Sequence, residues 1–169
     1  DLHSLQSASK SVMSALIGIA IARGELPGTE STLGELLPHR HFADADVKDV
    51  LLENVLTMTA GIDWEEDVSY FSLENDATAS EAMDDWVGYL LSKSMAAEQG
   101  TFFDYNSAAS QALSEILATA TGVPTNVYAK RHLFDPIGIR DYHWNSAPEG
   151  HTNASNGLFL SASDLARFA

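Results

Sequence analysis

The sequence predicts a mainly α chain with little sheet, and three observations carry that reading. Apolar residues recur at helical spacing along most of its length. Glycine and proline punctuate it where helices would end or begin. Only two short stretches, Thr101 to Asp104 and Gly157 to Leu160, read as strands. With 169 residues, the chain suits a single domain spanning 1–169 with a real hydrophobic core.

Taken in order, the first helix is expected from Ser7 to Arg23, with Gly24 as its C-terminal stop. Val12, Met13, Leu16, Ile17, Ile19, Ala20 and Ile21 cover more than one of its faces, which predicts burial nearly all round. A short helix around Thr32 to Leu37 ends at Pro38. The next starts after Asp46, carries Val47, Val50, Leu51, Val55 and Met58 at helical spacing, and ends before Gly61. Gly61 to Asp76 has no period and many carboxylates, so it reads as a solvated loop. Thr78 and Glu81 have capping-box spacing and open a helix through Trp86, Leu90 and Leu91. A helix from Ser107 to Ala120 is stopped by Gly122. Pro124 then suits the first turn of the next, which carries Val127, Tyr128, Leu133 and Phe134. Ser161 to Ala169 reads as a capped helix.

Charge narrows the function classes. The chain has 24 carboxylates against 9 Lys plus Arg, a net charge of −15. Phosphate backbones and anionic lipid surfaces would be repelled, so neither nucleic acid nor membrane is expected as a partner. Cysteine is absent, which excludes disulfides, thiolate metal sites and a cysteine nucleophile. His39-Arg40-His41 is the one pattern resembling a metal pair, but it follows Pro38 in a polar stretch without a matching carboxylate cluster. No metal or cofactor is therefore expected.

The residues best placed for chemistry are Ser7-Ala8-Ser9-Lys10. A serine and a lysine three apart at a helix start share one face, with Cβ atoms roughly 5–6 Å apart. Serine is a poor nucleophile until a neighbouring base takes its proton. A neutral amine can do so, and an ammonium can instead favour the ionised form of a neighbour. The helix N-terminus adds N–H groups and a positive dipole end for a developing oxyanion. By itself S-x-x-K is a common pattern, and its weight comes from context.

That context is a set of collinear blocks. Leu5 to Val12, followed by the apolar helix and Gly24-Glu25-Leu26, resembles the nucleophile region of the serine β-lactamase and penicillin-binding-protein superfamily, most of all its class C-like esterases and 6-aminohexanoate-dimer hydrolases. Leu56-Thr57-Met58-Thr59-Ala60-Gly61 is similar to the family's L-L-T-x-x-S-G turn, with Ala60 in place of serine. Phe103-Asp104-Tyr105-Asn106-Ser107 resembles its Y-x-N or Y-x-S motif. Tyr128 to Ile139 resembles the helix that ends in a P-L-G turn, and Gly157 to Phe168 the G-L…D-L-A-R-F segment.

The resemblance implies a mainly α fragment of the α+β β-lactamase/transpeptidase-like fold: a helical subdomain with the nucleophile-bearing helix, most of the sheet missing. The family's N-terminal strands and its K-T-G or H-x-G third motif have no counterpart between Asp1 and Ala169. It further implies a serine hydrolase acting through an acyl-enzyme on a small-molecule ester or amide. Ser7 would be the nucleophile, with Lys10 and Tyr105 sharing its proton. Ser107 stands where cephalosporin-hydrolysing relatives have asparagine, which favours the esterase or amide-hydrolase branch. A β-lactamase or D-alanyl-D-alanine carboxypeptidase is the rival enzyme, and a non-catalytic structural or binding fragment the rival of another class. Trp64 and Tyr70 border the cleft in the resembling hydrolases and are candidate substrate contacts with Ser107. An all-round apolar helix lacking its covering sheet predicts self-association or pairing with further segments of a parent, and an inactive isolated chain.

Overall fold

A computed structural model describes all residues, Asp1–Ala169. The chain divides into two compact units, one formed by Asp1–Leu26 with Leu113–Ala169 and the other by Pro27–Ala112. The chain is mainly helical with one small sheet.

The first unit holds the whole sheet. Strands β1 (His3–Ser4), β2 (His143–Trp144) and β3 (Leu158–Leu160) are antiparallel in the order β1-β3-β2. His3 faces Leu160, and Trp144 faces Leu158. Of the expected strands only the one at Gly157 to Leu160 forms. Thr101 to Asp104 is irregular, and the two-residue strands β1 and β2 were too short to show alternation.

After β1 comes a 3₁₀ turn, Gln6–Ala8, and then helix α1, Ser9–Ala22. The helix therefore starts two residues later than its apolar pattern implied. Gly24 terminates it at φ +71, a left-handed conformation that glycine adopts without penalty. The expected all-round burial is not observed. Ser9, Val12, Met13, Leu16, Ile17 and Ala20 are buried, whereas Ser11, Ser14, Gly18 and Ala22 are exposed. The outward face carries small and polar residues at helical spacing, and none of the exposed large apolar side chains lies on α1. The apolar patch from which association was expected is thus missing from this helix.

The second unit is a series of short helices, most of them started by a side-chain cap. Helix α2 (Leu33–Leu36) has a full capping box between Thr32 and Glu35. The single helix expected after Asp46 is two: α3 (Ala45–Lys48), capped by Asp44, and α4 (Leu52–Leu56). Val50 and Leu51 leave helical geometry because their neighbourhood pairs with an earlier strand-like segment. The Leu33 N–H donates to the Val50 carbonyl at 2.9 Å and the Leu52 N–H to Ser31 at 2.8 Å. Helices α5 (Asp76–Glu81) and α6 (Trp86–Leu91) replace the one helix expected from Thr78. Asn75 caps α5 and Asp85 caps α6, each accepting a backbone N–H three residues on.

Helix α7 (Ser107–Thr121) contains the boundary between the units and ends at Gly122 as expected. It is followed in the first unit by α8 (Thr125–Ala129), which runs into a π-helical turn at Lys130–Phe134, and by α9 (Ala162–Phe168), capped by Ser161.

Candidate active site

In the first unit, β3 fixes the start of α1. The Leu5 N–H donates to the Leu158 carbonyl at 2.9 Å, and the Leu158 N–H donates to Ser9 Oγ at 3.2 Å. Ser9 Oγ in turn donates to the Gln6 carbonyl at 2.7 Å. This fully buried serine therefore clamps the turn between strand and helix, a role its place inside S-x-x-K did not reveal. Gln6 sits at φ +49, sparsely populated for a non-glycine residue. Such strain persists only where surrounding bonds impose it. Its result is that Ser7 stands exposed at the crest of the turn.

The same unit brings Lys10 to Ser7. Lys10 Nζ lies 3.4 Å from Ser7 Oγ and donates to the Ser155 carbonyl at 2.8 Å. That carbonyl belongs to the turn Asn153–Gly157, which Asn153 organises: its Oδ1 accepts the N–H groups of Ser155 and Asn156 at 3.1 and 3.2 Å. Its backbone carbonyl accepts Trp144 Nε1 at 2.7 Å. Gly157 is needed there because a Cβ would meet the Asn153 side chain at 2.7 Å. Ser155 and Asn153 were missed in the sequence, although the turn-forming run Asn153-Ala154-Ser155-Asn156-Gly157 was the available signal. The helix start offers fewer amides than expected, since the N–H groups of Ala8 and Ser9 already bond to the carbonyls of Leu5 and Gln6.

In the second unit, the acidic stretch after Gly61 is irregular as expected but not uniformly solvated. Glu66 is 6% exposed, while Asp63, Glu65 and Asp67 face water. The Glu66 carboxyl accepts four hydrogen bonds. Trp64 Nε1 (2.7 Å) and the Ser107 N–H (2.9 Å) reach Oε2. Tyr70 OH (2.9 Å) and Ser107 Oγ (2.6 Å) reach Oε1. Three residues expected as substrate contacts, Trp64, Tyr70 and Ser107, thus meet around a carboxyl of the stretch expected to be solvated. Burial, then the Glu66 hydrogen bond, pushes the Tyr70 phenol up to about 12.

Tyr105 belongs to this unit and is half-buried between two anchored neighbours. The Asp104 N–H donates to the Met58 carbonyl at 2.8 Å, and Asn106 Oδ1 accepts the Ala109 N–H at 2.8 Å. Met58 reaches that position at φ +56, within the Leu56–Gly61 turn. The Asp104 carboxyl is raised above the ordinary carboxylate range by burial and by Asp67, Glu65, Glu66 and Asp63. Nearby, Asp76 accepts from Lys93 Nζ (2.5 Å) and Tyr89 OH (2.6 Å) and, through its other oxygen, from the Glu65 N–H (2.9 Å). Burial alone would raise the Asp76 carboxyl, but the Lys93 and Tyr89 bonds hold it below its ordinary value. At the His39-Arg40-His41 pattern, Arg40 pairs with Asp85 at 2.5 Å.

The mainly helical architecture and the sequence blocks it carries define a hydrolase fold of the serine β-lactamase and penicillin-binding-protein type. The chain belongs to the Beta-lactamase family, whose model matches residues 1–169. Solved structures with this fold include a protein described as a 6-aminohexanoate-dimer hydrolase from Bacillus anthracis (TM-score 0.80, 19% identity, covering 99% of this chain and 46% of that one). A D-stereospecific amidohydrolase from a Streptomyces species is similar too (TM-score 0.77, 14% identity, 99% and 59%), as is the D-alanine carboxypeptidase AmpC from Burkholderia cenocepacia (TM-score 0.70, 21% identity, 99% and 48%). The chain spans about half the length of these structures. No curated protein sequence matches it.

Proposed function

We propose that the protein carrying this chain is a serine hydrolase that cleaves a carboxylic ester or amide through an acyl-enzyme. The observation that carries the reading is the approach of Lys10 Nζ to Ser7 Oγ at 3.4 Å, with Ser7 exposed on a strained turn. Such contacts are often long before substrate arrives. Bonding to the Ser155 carbonyl fixes the Lys10 head group, so the amine does not wander from the serine.

In this reading the Ser7 hydroxyl proton passes to the base as Oγ bonds to the substrate carbonyl carbon. The base is the Lys10 amine, or the Tyr105 phenolate stabilised by the Lys10 cation. The Ser7 N–H, preceding the Ala8 and Ser9 amides that bond to the carbonyls of Leu5 and Gln6, is one oxyanion donor. Collapse of the tetrahedral species expels the alcohol or amine, which receives the proton from the base. Water then adds to the acyl carbon and loses its proton along the same route, releasing the acid and restoring Ser7. Ser107 in place of asparagine supports ester or amide substrates over β-lactams. Because relatives of this fold are about twice as long, the full activity is assigned to the whole protein and the 169-residue chain alone is proposed to turn over little.

Treatment of the full protein with a fluorophosphonate, followed by peptide mass spectrometry, tests the reading. The expected adduct is on Ser7, and Ser7→Ala abolishes it. An adduct on Ser9 or Ser11 instead, or labelling that survives Ser7→Ala, overturns it.

A further inference from the structure

We propose that Glu66 is a positioning residue for Tyr105, acting through Ser107; the proposal rests on the reading of Tyr105 as a carrier of the Ser7 proton. Glu66 comes 41 residues before Ser107 in sequence, yet two of its four hydrogen bonds go to that one residue. A buried carboxyl is expensive to keep unless its oxygens are satisfied, and here each oxygen takes two donors. An apolar side chain of similar size would fill the same space without that requirement. What the carboxyl adds is direction.

Ser107 is the first residue of α7, where backbone N–H groups lack helical partners and the helix dipole favours negative charge. Glu66 takes the N–H of this residue and its hydroxyl together, which fixes both backbone and side chain. Two residues earlier lies Tyr105. On its other side the Asp104 N–H is held by the Met58 carbonyl, and buried Asn106 between them bonds back onto Ala109. The backbone that carries Tyr105 is thereby held from both directions, with Glu66 supplying the hold on the C-terminal side. Proton transfer depends steeply on distance, so a phenol held in place transfers more efficiently than one on a loose loop. Trp64 and Tyr70 complete the acceptor's shell from the loop Gly61–Asn75, tying that loop to the start of α7.

The test is steady-state hydrolysis of p-nitrophenyl acetate by the full protein, expressed per folded molecule. Glu66→Ala is expected to lower kcat about 10²-fold with KM little changed, the signature of lost transition-state geometry. Glu66→Gln is expected to recover kcat to within about tenfold of the parent: its amide oxygen can accept the two N–H donors while its NH₂ donates to the two hydroxyls, which rotate. An unchanged kcat in a merely less stable Glu66→Ala protein overturns the proposal, as does a rise in KM alone or a Gln variant as impaired as Ala. Should Glu66→Ala not fold, Ser107→Ala, which removes one hydroxyl bond and keeps the N–H, is expected to lower kcat about tenfold, and no change there overturns it. Failure of the underlying reading is separately visible: Ser7→Ala or Tyr105→Phe would then retain full turnover whatever the Glu66 variants do.

Discussion

The Ser7–Lys10 pair and the Glu66 cluster solve the same problem, holding a reactive group still, at very different ranges. Ser7 and Lys10 are three residues apart, and helical geometry alone brings them near each other. What the fold adds is a local clamp, Ser9 on β3 and the Ser155 carbonyl on Lys10. Glu66 and Ser107 are 41 residues apart, and only tertiary folding brings them together. The first arrangement is exposed at Ser7, half-buried at Lys10 and lightly bonded; the second centres on a buried carboxyl with four donors. The difference predicts where substitutions act. Near Ser7 they should change rate with little effect on stability, and in the second unit stability should respond as well.

Lys10 offers the widest separation of the two effects. Lys10→Ala is expected to lower the rate of Ser7 acylation by about 10²–10⁴-fold, the usual contribution of a positioned proton carrier. Its stability should change by no more than about 1 kcal/mol, because the bond to Ser7 is exposed and the one to the Ser155 carbonyl is only part-buried. Lys10→Arg should not rescue, since a guanidinium neither loses its proton nor fits the point contact with Ser155. Rates of p-nitrophenyl acetate burst and urea midpoints measure both quantities on one preparation. Equal loss of rate and stability would erase the contrast between the clusters.

Asp76 and Lys93 sharpen it from the other side. Their pair is mostly buried, with 12% and 23% of the side chains exposed, and Tyr89 adds a third partner. Lys93→Met is expected to cost about 2 kcal/mol near neutral pH, the range for hydrogen bonds to charged groups. Burial would lower the Lys93 ammonium, yet the Asp76 bond raises it above an ordinary lysine. The Asp76 carboxyl is held low. Stabilisation from Asp76 is therefore present above the ordinary carboxylate range and lost as pH falls through its lowered value. Stabilisation from Lys93 is present below the ordinary lysine range and lost as pH rises through its raised value. The gap between parent and Lys93→Met should be flat around neutrality and close at both extremes. A gap that widens in acid would contradict the pairing.

How much of this could be read from sequence follows the same division by range. The Ser7–Lys10 relation was legible because a three-residue spacing is itself structural information. Helix ends were legible where glycine must take a positive φ, as at Gly24 and Gly122. The outward face of α1 was also there to read, since Ser11, Ser14 and Gly18 recur at helical spacing, but counting Ile19 and Ile21 as fully buried masked it. Thr78–Glu81 matched a capping box, while Asn75 three residues earlier is the actual cap; the pattern cannot rank two adjacent candidates. Glu66 was illegible for a deeper reason. Within Asp63, Glu65, Glu66 and Asp67 nothing local distinguishes the carboxylate that folding buries from its three solvated neighbours. The distinction arises only when Ser107 and Trp64 arrive with their donors.

Asp104 tests that last point at the smallest scale. Its carboxyl is raised above the ordinary range by burial and by four neighbouring carboxylates, Asp67, Glu65, Glu66 and Asp63. A carboxyl raised in the folded state penalises folding once it ionises. The penalty is absent below the ordinary carboxylate range and develops fully as pH rises through the raised value. Asp104→Asn removes the charge and keeps the backbone N–H bond to Met58. The variant should therefore be more stable than the parent by about 0.5 kcal/mol at neutral pH, the size of a single screened charge interaction. The advantage should vanish in acid and shrink in concentrated salt, where repulsion among the exposed carboxylates is screened. Paired urea titrations at neutral and acid pH, each with and without added salt, measure it. A variant less stable than the parent at neutral pH would mean that the Asp104 carboxylate is held by attraction, and that the acidic loop beside Tyr105 is not the repulsive surface its charges imply.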